Sequence, residues 1–166
     1  MKKNLGKIVA GAAILLGLIA VLLIFAPAVV PKEGKGDPMG GASLAFGNKD
    51  DGTAFSAYVL AFAFPLVGVI LSVLALLGKG GKIVPIAAAV CFLVGGIFYF
   101  LPIAVYQPYI SESASKLPGF DKAETVKAAR ELLEKFGKVG LGAIFGGIFS
   151  ILAACASAAT LVLNKK

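Results

Sequence analysis

Ser111, Ser113 and Ser115 offer three closely spaced hydroxyls outside the apolar parts of the chain. A serine becomes a nucleophile when a neighbouring base takes its proton, and that base is most often histidine. The chain has no histidine anywhere. The same lack removes the usual general acid–base group and the commonest zinc ligand besides cysteine. Cys91 and Cys155 both lie inside apolar runs, where a thiol acts as a small hydrophobe. Neither can staple an exposed loop. Asn48-Lys49-Asp50-Asp51-Gly52 has the look of a calcium loop. With Gly52 at its sixth position, however, the first and third ligand positions fall on Gly47 and Lys49. The Gly78-Lys79-Gly80-Gly81-Lys82 turn lacks the spacing of a phosphate-binding loop. No set of catalytic, cofactor-binding or metal-binding residues assembles, so the sequence predicts neither an enzyme nor a cofactor.

The charges carry the organising signal. All nine acidic residues fall in two segments, 31–54 and 106–138, where nine basic residues balance them. The remaining seven basic residues are Lys2, Lys3, Lys7, Lys79, Lys82, Lys165 and Lys166, and no acid accompanies them. This is the positive-inside pattern. The net charge of +7 is therefore topogenic, and no nucleic-acid partner is expected. With 58% apolar residues, the chain exceeds the share usual for a soluble domain.

Four uncharged apolar runs separate the charged pieces. They predict an all-α membrane protein: a single integral membrane domain over 1–166, built as a four-transmembrane-helix bundle. The spans are placed at about 8–28, 55–78, 83–105 and 139–163, with outer loops 31–54 and 106–138. Both termini are expected in the cytoplasm, in a multi-pass protein of the cell membrane. The first apolar run is too long for a signal-peptide core and is read as a retained helix, with cleavage at Ala26-Pro27-Ala28 as the alternative. Pro27 and Pro31 mark its exit. Asp51 or Thr53 is expected to cap the second helix. Segment 31–54, rich in glycine, is read as an irregular loop with a short hairpin through Ala42–Phe46 and Thr53–Tyr58. Tyr58, Tyr99, Tyr106 and Tyr109 are read as an aromatic belt at the outer interface.

Three constellations stand out. Along the fourth run, Gly142, Gly146, Ser150, Ala154 and Ala158 recur every four residues and predict a close helix-packing face. A second line, Ala143, Gly147, Ser150, Ala154 and Ser157, has 4-3-4-3 spacing. Either line could pack within the bundle or against another molecule. Counting about ten residues inward from each outer end places Gly17, Pro65, Gly95, Gly96 and Gly147 near one depth. That level is a packing waist or a mid-membrane kink beside a small cavity. Finally, residues 121–136 predict an extra amphipathic helix in the second outer loop, opened by Asp121 and Glu124 and stopped at Gly137. Val126, Ala129, Leu133 and Phe136 lie on its apolar side as an interaction face. Glu131–Lys135 and Glu134–Lys138 have the favourable order for ion pairs.

Two outer loops, the first after a single helix, and short cytoplasmic ends make the layout similar to the claudin-type tetraspan plan. The similarity is one of topology: that family's first-loop tryptophan and paired cysteines have no counterpart here. The expected role is non-catalytic, an accessory or scaffold subunit presenting two outer loops to a membrane-protein partner or to a second copy, with the lipid bilayer as its medium. The alternative is a small oligomeric transporter or channel for a neutral or apolar solute.

Overall fold

The computed structural model describes residues 2–32 and 36–163, with side chains from Leu5 onward. Glu33, Lys35, Lys165 and Lys166, and the side chains of Lys2 and Lys3, lie outside the described parts.

The chain is mostly helical. In order it forms α1 (Lys2–Leu22), a 3-10 turn (Leu23–Phe25), β1 (Pro27–Pro31), β2 (Met39–Gly40) and α2 (Gly41–Phe46). It continues with α3 (Val59–Leu76), α4 (Ile83–Tyr99), α5 (Glu112–Ser115), α6 (Lys122–Phe136), β3 (Gly137–Val139) and α7 (Leu141–Leu163). Three segments are long and apolar enough to cross a membrane: Leu5–Phe25, Val59–Leu76 and Leu141–Leu163. The apolar helix Ile83–Tyr99 is shorter. Only 33%, 28% and 39% of the three long segments is buried, so most of their residues are half-buried or exposed. An apolar exterior of that extent suits hydrocarbon better than water.

α1 packs on α3 and α7, and α4 packs on the same two helices, so each helix has two neighbours. Contacts at either end fix their directions. At one end, the Tyr99 hydroxyl at the close of α4 donates to the Ala20 carbonyl near the close of α1. Tyr58, just before α3, meets Tyr99 edge to face at 6.1 Å and 83°. Ala10, Ala13, Ser72, Ala75, Pro85, Ser157 and Thr160 gather at the other end. Successive helices therefore run up and down.

Beyond the first of these ends sits a cap that the sequence did not reveal. The first helix does not continue to residue 28. It tightens to a 3-10 turn and opens into β1, the central strand of a three-stranded sheet in the order β2-β1-β3. Pro27 and Pro31, at the ends of the strand, cannot donate to a helix or a ladder, while Ala28 and Val29 between them are buried. Val29 pairs with Val139 and Val30 with Lys138. On the other side, Pro27 pairs with Gly40 and Val29 with Met39, a bulge of one residue. The all-α expectation thus gives way, at the cap, to a small antiparallel sheet joining the two long loops.

The hairpin expected in the first loop does not form either. Ala42–Phe46 lies in helix α2. Thr53 pairs singly with Asn48 and with Pro108. α3 starts at Val59, later than expected, and neither Asp51 nor Thr53 caps it. The Thr53 hydroxyl donates instead to the Ser43 carbonyl at 2.9 Å. The Ser56 hydroxyl donates to the Leu44 carbonyl at 2.5 Å and accepts from the Tyr58 N–H at 3.2 Å. These short side chains offer the backbone a turn in place of another helical residue. α4 ends at Tyr99, six residues earlier than expected, before Pro102.

The aromatic belt is also corrected. Tyr58, Tyr99 and Tyr106 are buried in the core under the cap, together with Ile24, Val29, Leu44 and Ala143. Of the four tyrosines only Tyr109 is exposed.

Candidate functional site

The second-loop helix α6 forms where its sequence pattern places it. The Asp121 carboxylate accepts from the Ala123 N–H at 2.7 Å and from the Glu124 N–H at 3.4 Å, satisfying donors that a helix start leaves free. Its far end is held by the first loop. The Lys32 N–H donates to the Phe136 carbonyl at 2.7 Å. Lys32 Nζ donates to the carbonyls of Glu134 and Lys135 at 2.7 and 2.9 Å. A cation at a helix C-terminus meets both the unpaired carbonyls and the negative end of the dipole. Midway, Arg130 Nε donates to the Tyr106 carbonyl at 2.8 Å. The expected Glu131–Lys135 and Glu134–Lys138 pairs do not form. The helix ends before Lys138, and the one ion pair among the described residues is Lys116–Glu112 at 2.8 Å. Lys135 Nζ lies instead over the Phe136 ring, 5.4 Å from its centre.

The apolar face of α6 divides in two. Ala129 and Leu133 pack against the cap core. Val126 is half-buried. Leu132 and Phe136 remain 59% and 52% exposed. Both stand on a groove of about 380 Å³ that is also lined by Val29, Pro31, Met39, Tyr106 and Leu133. Of the expected face Val126, Ala129, Leu133 and Phe136, only Phe136 belongs to this exposed pair; its companion Leu132 lies on the same apolar half of the wheel. Burial pushes the Tyr106 phenol above its ordinary pKa.

The first loop is stitched to the same platform. The Ala54 N–H donates to the Gln107 carbonyl at 2.9 Å, and the Tyr109 N–H to the Gly52 carbonyl at 2.7 Å. Lys49 Nζ lies 5.6 Å from the centre of the Tyr109 ring. At the turn, the Asp51 carboxylate accepts from the Asn48 side-chain amide at 3.0 Å.

Deeper in the helices, the structure places the waist residues as follows. A Cβ at Gly17 would come 2.5 Å from Phe92 Cε1 and 2.7 Å from Val69 Cγ2. Gly68 faces the same Phe92 ring at 2.9 Å. Gly95 lies against the Pro65 ring, Gly96 against Ile151 and the Gly147 carbonyl, and Gly147 against the Phe100 ring. Phe92 is fully buried. Its ring occupies the level where the glycines leave room, a role for which α4, apolar all round, gives no periodic signal.

On α7, Gly142, Gly146, Ser150 and Ala154 are buried and Ala158 is exposed. The 4-3-4-3 line of Ala143, Gly147, Ser150, Ala154 and Ser157 is buried throughout. The Ser150 hydroxyl donates to the Phe92 carbonyl at 2.7 Å. Ser72 and Ser157 hydroxyls pair at 3.3 Å, and Thr160 donates to the Ser157 carbonyl at 2.6 Å. The space around Ser72, Ser157 and Thr160 has no volume for a water molecule. No family model, curated protein or solved structure was found to match this chain.

Proposed function

We propose that this chain is a non-catalytic, multi-pass protein of the cell membrane, a four-helix bundle crossing four times with both termini in the cytoplasm. Its role is that of an accessory or scaffold subunit that holds a folded outer cap against a membrane-protein partner. The outward apolar surfaces of α1, α3 and α7 support membrane residence. α4, with 17 residues, lies at the short end of the range for a spanning helix. Lys79 and Lys82 sit in the turn at the end opposite the cap, in keeping with a cytoplasmic assignment for that end.

The observation that carries the scaffold reading is the exposed pair Leu132 and Phe136 on a helix secured at both ends by Asp121 and Lys32. A rigid helix presenting apolar side chains beside a groove is a surface suited to a partner. The interior favours this role over a solute path. The Phe92 ring fills the waist, and the hydroxyls of Ser72, Ser150, Ser157 and Thr160 are all engaged within the protein. Ionic pathways also need ionisable groups at that depth, and the spans have none there.

Photoreactive side chains at 132 and 136, with 127 as a solvent-side control, test the reading in native membranes. A discrete cross-linked protein from 132 and 136, lost when the other of the two is changed to Asp, is the expected result. Cross-links to lipid alone, or equal cross-linking from 127, would contradict it.

A further inference from the structure

The 3-10 turn and β1 on one side, and β3 with the start of α7 on the other, leave between them a groove of about 770 Å³, separate from the α6 face. Its floor is backbone. A Cβ at Gly142 would come 2.7 Å from Ala26 Cβ and 2.8 Å from the Pro27 carbonyl oxygen. A Cβ at Gly140 would meet the Pro27 carbonyl carbon at 2.9 Å. The two segments touch there because neither glycine has a side chain in the way. Leu23 and Val30 rise on one side of this floor, and Ile144 and Phe145 on the other.

Among the described residues, Lys138 is the one charged residue lining the groove. It stands opposite Val30 in the β1–β3 ladder, so the two side chains share a face of the sheet. Among the described residues no carboxylate lies within ion-pair distance of it. The groove is therefore apolar along the 3-10 turn, β1 and the first turns of α7, and cationic at Lys138. An α-helix, about 10 Å across, is too broad to reach a floor made by two touching backbones. A single hydrocarbon chain is not.

We propose that this groove holds an acyl chain of an anionic phospholipid of the outer leaflet, with its phosphate at Lys138. The inference rests on the membrane-spanning reading above.

The chain has no tryptophan, so single tryptophans serve as clean reporters. The full-length protein carrying Phe145→Trp, in the groove, or Leu152→Trp, elsewhere on the outward face of α7, is placed in vesicles of phosphatidylcholine or phosphatidylglycerol brominated on the acyl chains. Fluorescence quenching reports the relative lipid affinity at each position. At 145, phosphatidylglycerol is expected to be preferred about fivefold, the worth of one lysine near an anionic headgroup. At 152 the two lipids should quench alike. Lys138→Gln, an exposed change, should remove the preference at 145. Inorganic phosphate should leave it intact, and its loss to phosphate would make this a free-anion site instead.

Equal quenching by both lipids at 145, or a preference that survives Lys138→Gln, overturns the proposal. So does shielding of 145 from both lipids while 152 is quenched, which would mean that protein fills the groove. If neither position is quenched by either lipid, the membrane reading itself fails along with the proposal.

Discussion

The ring of Pro65 rests directly on the backbone of Gly95: a Cβ at Gly95 would come 2.5 Å from Pro65 Cγ. The contact joins α3 to α4 at the level where Gly17 and Gly68 lie against Phe92. It makes proline and glycine there two halves of one packing arrangement.

That arrangement has a double-mutant signature. Gly95→Ala alone should lower stability by about 1–3 kcal/mol through overpacking. Pro65→Ala removes the ring and returns an N–H donor to α3. In that background Gly95→Ala should cost less, with a coupling of about 0.5–3 kcal/mol. Reversible unfolding in mild detergent measures both. Strict additivity would show that the two residues do not pack as described. Pro65→Ala itself should stay folded and keep its partners, as a packing element does and a gating kink does not.

Position along α7 decides the cost of added bulk. A Cβ at Gly146 would lie 2.6 Å from Tyr99 Cδ1, and Ala154 is buried, whereas Ile148 is 42% exposed. Gly146→Leu and Ala154→Leu should therefore lower the thermal midpoint in detergent well below that of Ile148→Leu, which should stay near the parent. Equal tolerance at the three sites would remove the packing face.

These helices were largely legible in the sequence because lipid-scale apolar runs and segregated lysines leave few alternatives. α6 was legible from its Asp121 cap and its 3.6-residue period. The cap was not. Pro27–Pro31 continues the apolar run of the first helix, so composition gave no sign that it becomes a strand. Its partner Gly137–Val139 is three residues long and more than a hundred positions away. Phe92 was equally hidden: a helix that is apolar all round does not announce which side faces inward. Tyr58, Tyr99 and Tyr106 lie at the cap end of the helices but inside the core, and only Tyr109 keeps the surface position expected of an aromatic belt. Tyr58 and Tyr99 are a core pair, edge to face.

Lys32 should matter to α6 across the gap between the loops. Lys32→Met removes the Nζ donor to the Glu134 and Lys135 carbonyls while keeping the aliphatic stem. The loss should be about 0.3–1 kcal/mol, felt in the last turn. Hydrogen exchange should quicken over residues 132–136 and stay unchanged over 122–126. Uniform behaviour along α6 would mean that Lys32 does not hold its end.

The two sides of α6 should differ to an aqueous quencher. Spin labels at Val126 and Leu133, which are half-buried, should be less accessible than labels at the exposed Lys127 and Glu134. Equal accessibility at all four would make this segment a solvated linker and end its role as a platform.

Sided labelling in intact cells tests the central claim most directly: a membrane-spanning chain with its cap outside. In a background with Cys91 and Cys155 replaced by serine or alanine, single cysteines are placed at Asp50 and Lys127 in the cap and at Lys79 in the turn opposite it. A membrane-impermeant maleimide should label 50 and 127 from outside and reach 79 only after the membrane is opened. Labelling of 79 in intact cells with 50 and 127 protected would invert the topology, and labelling of none or all three regardless of permeabilisation would contradict the account.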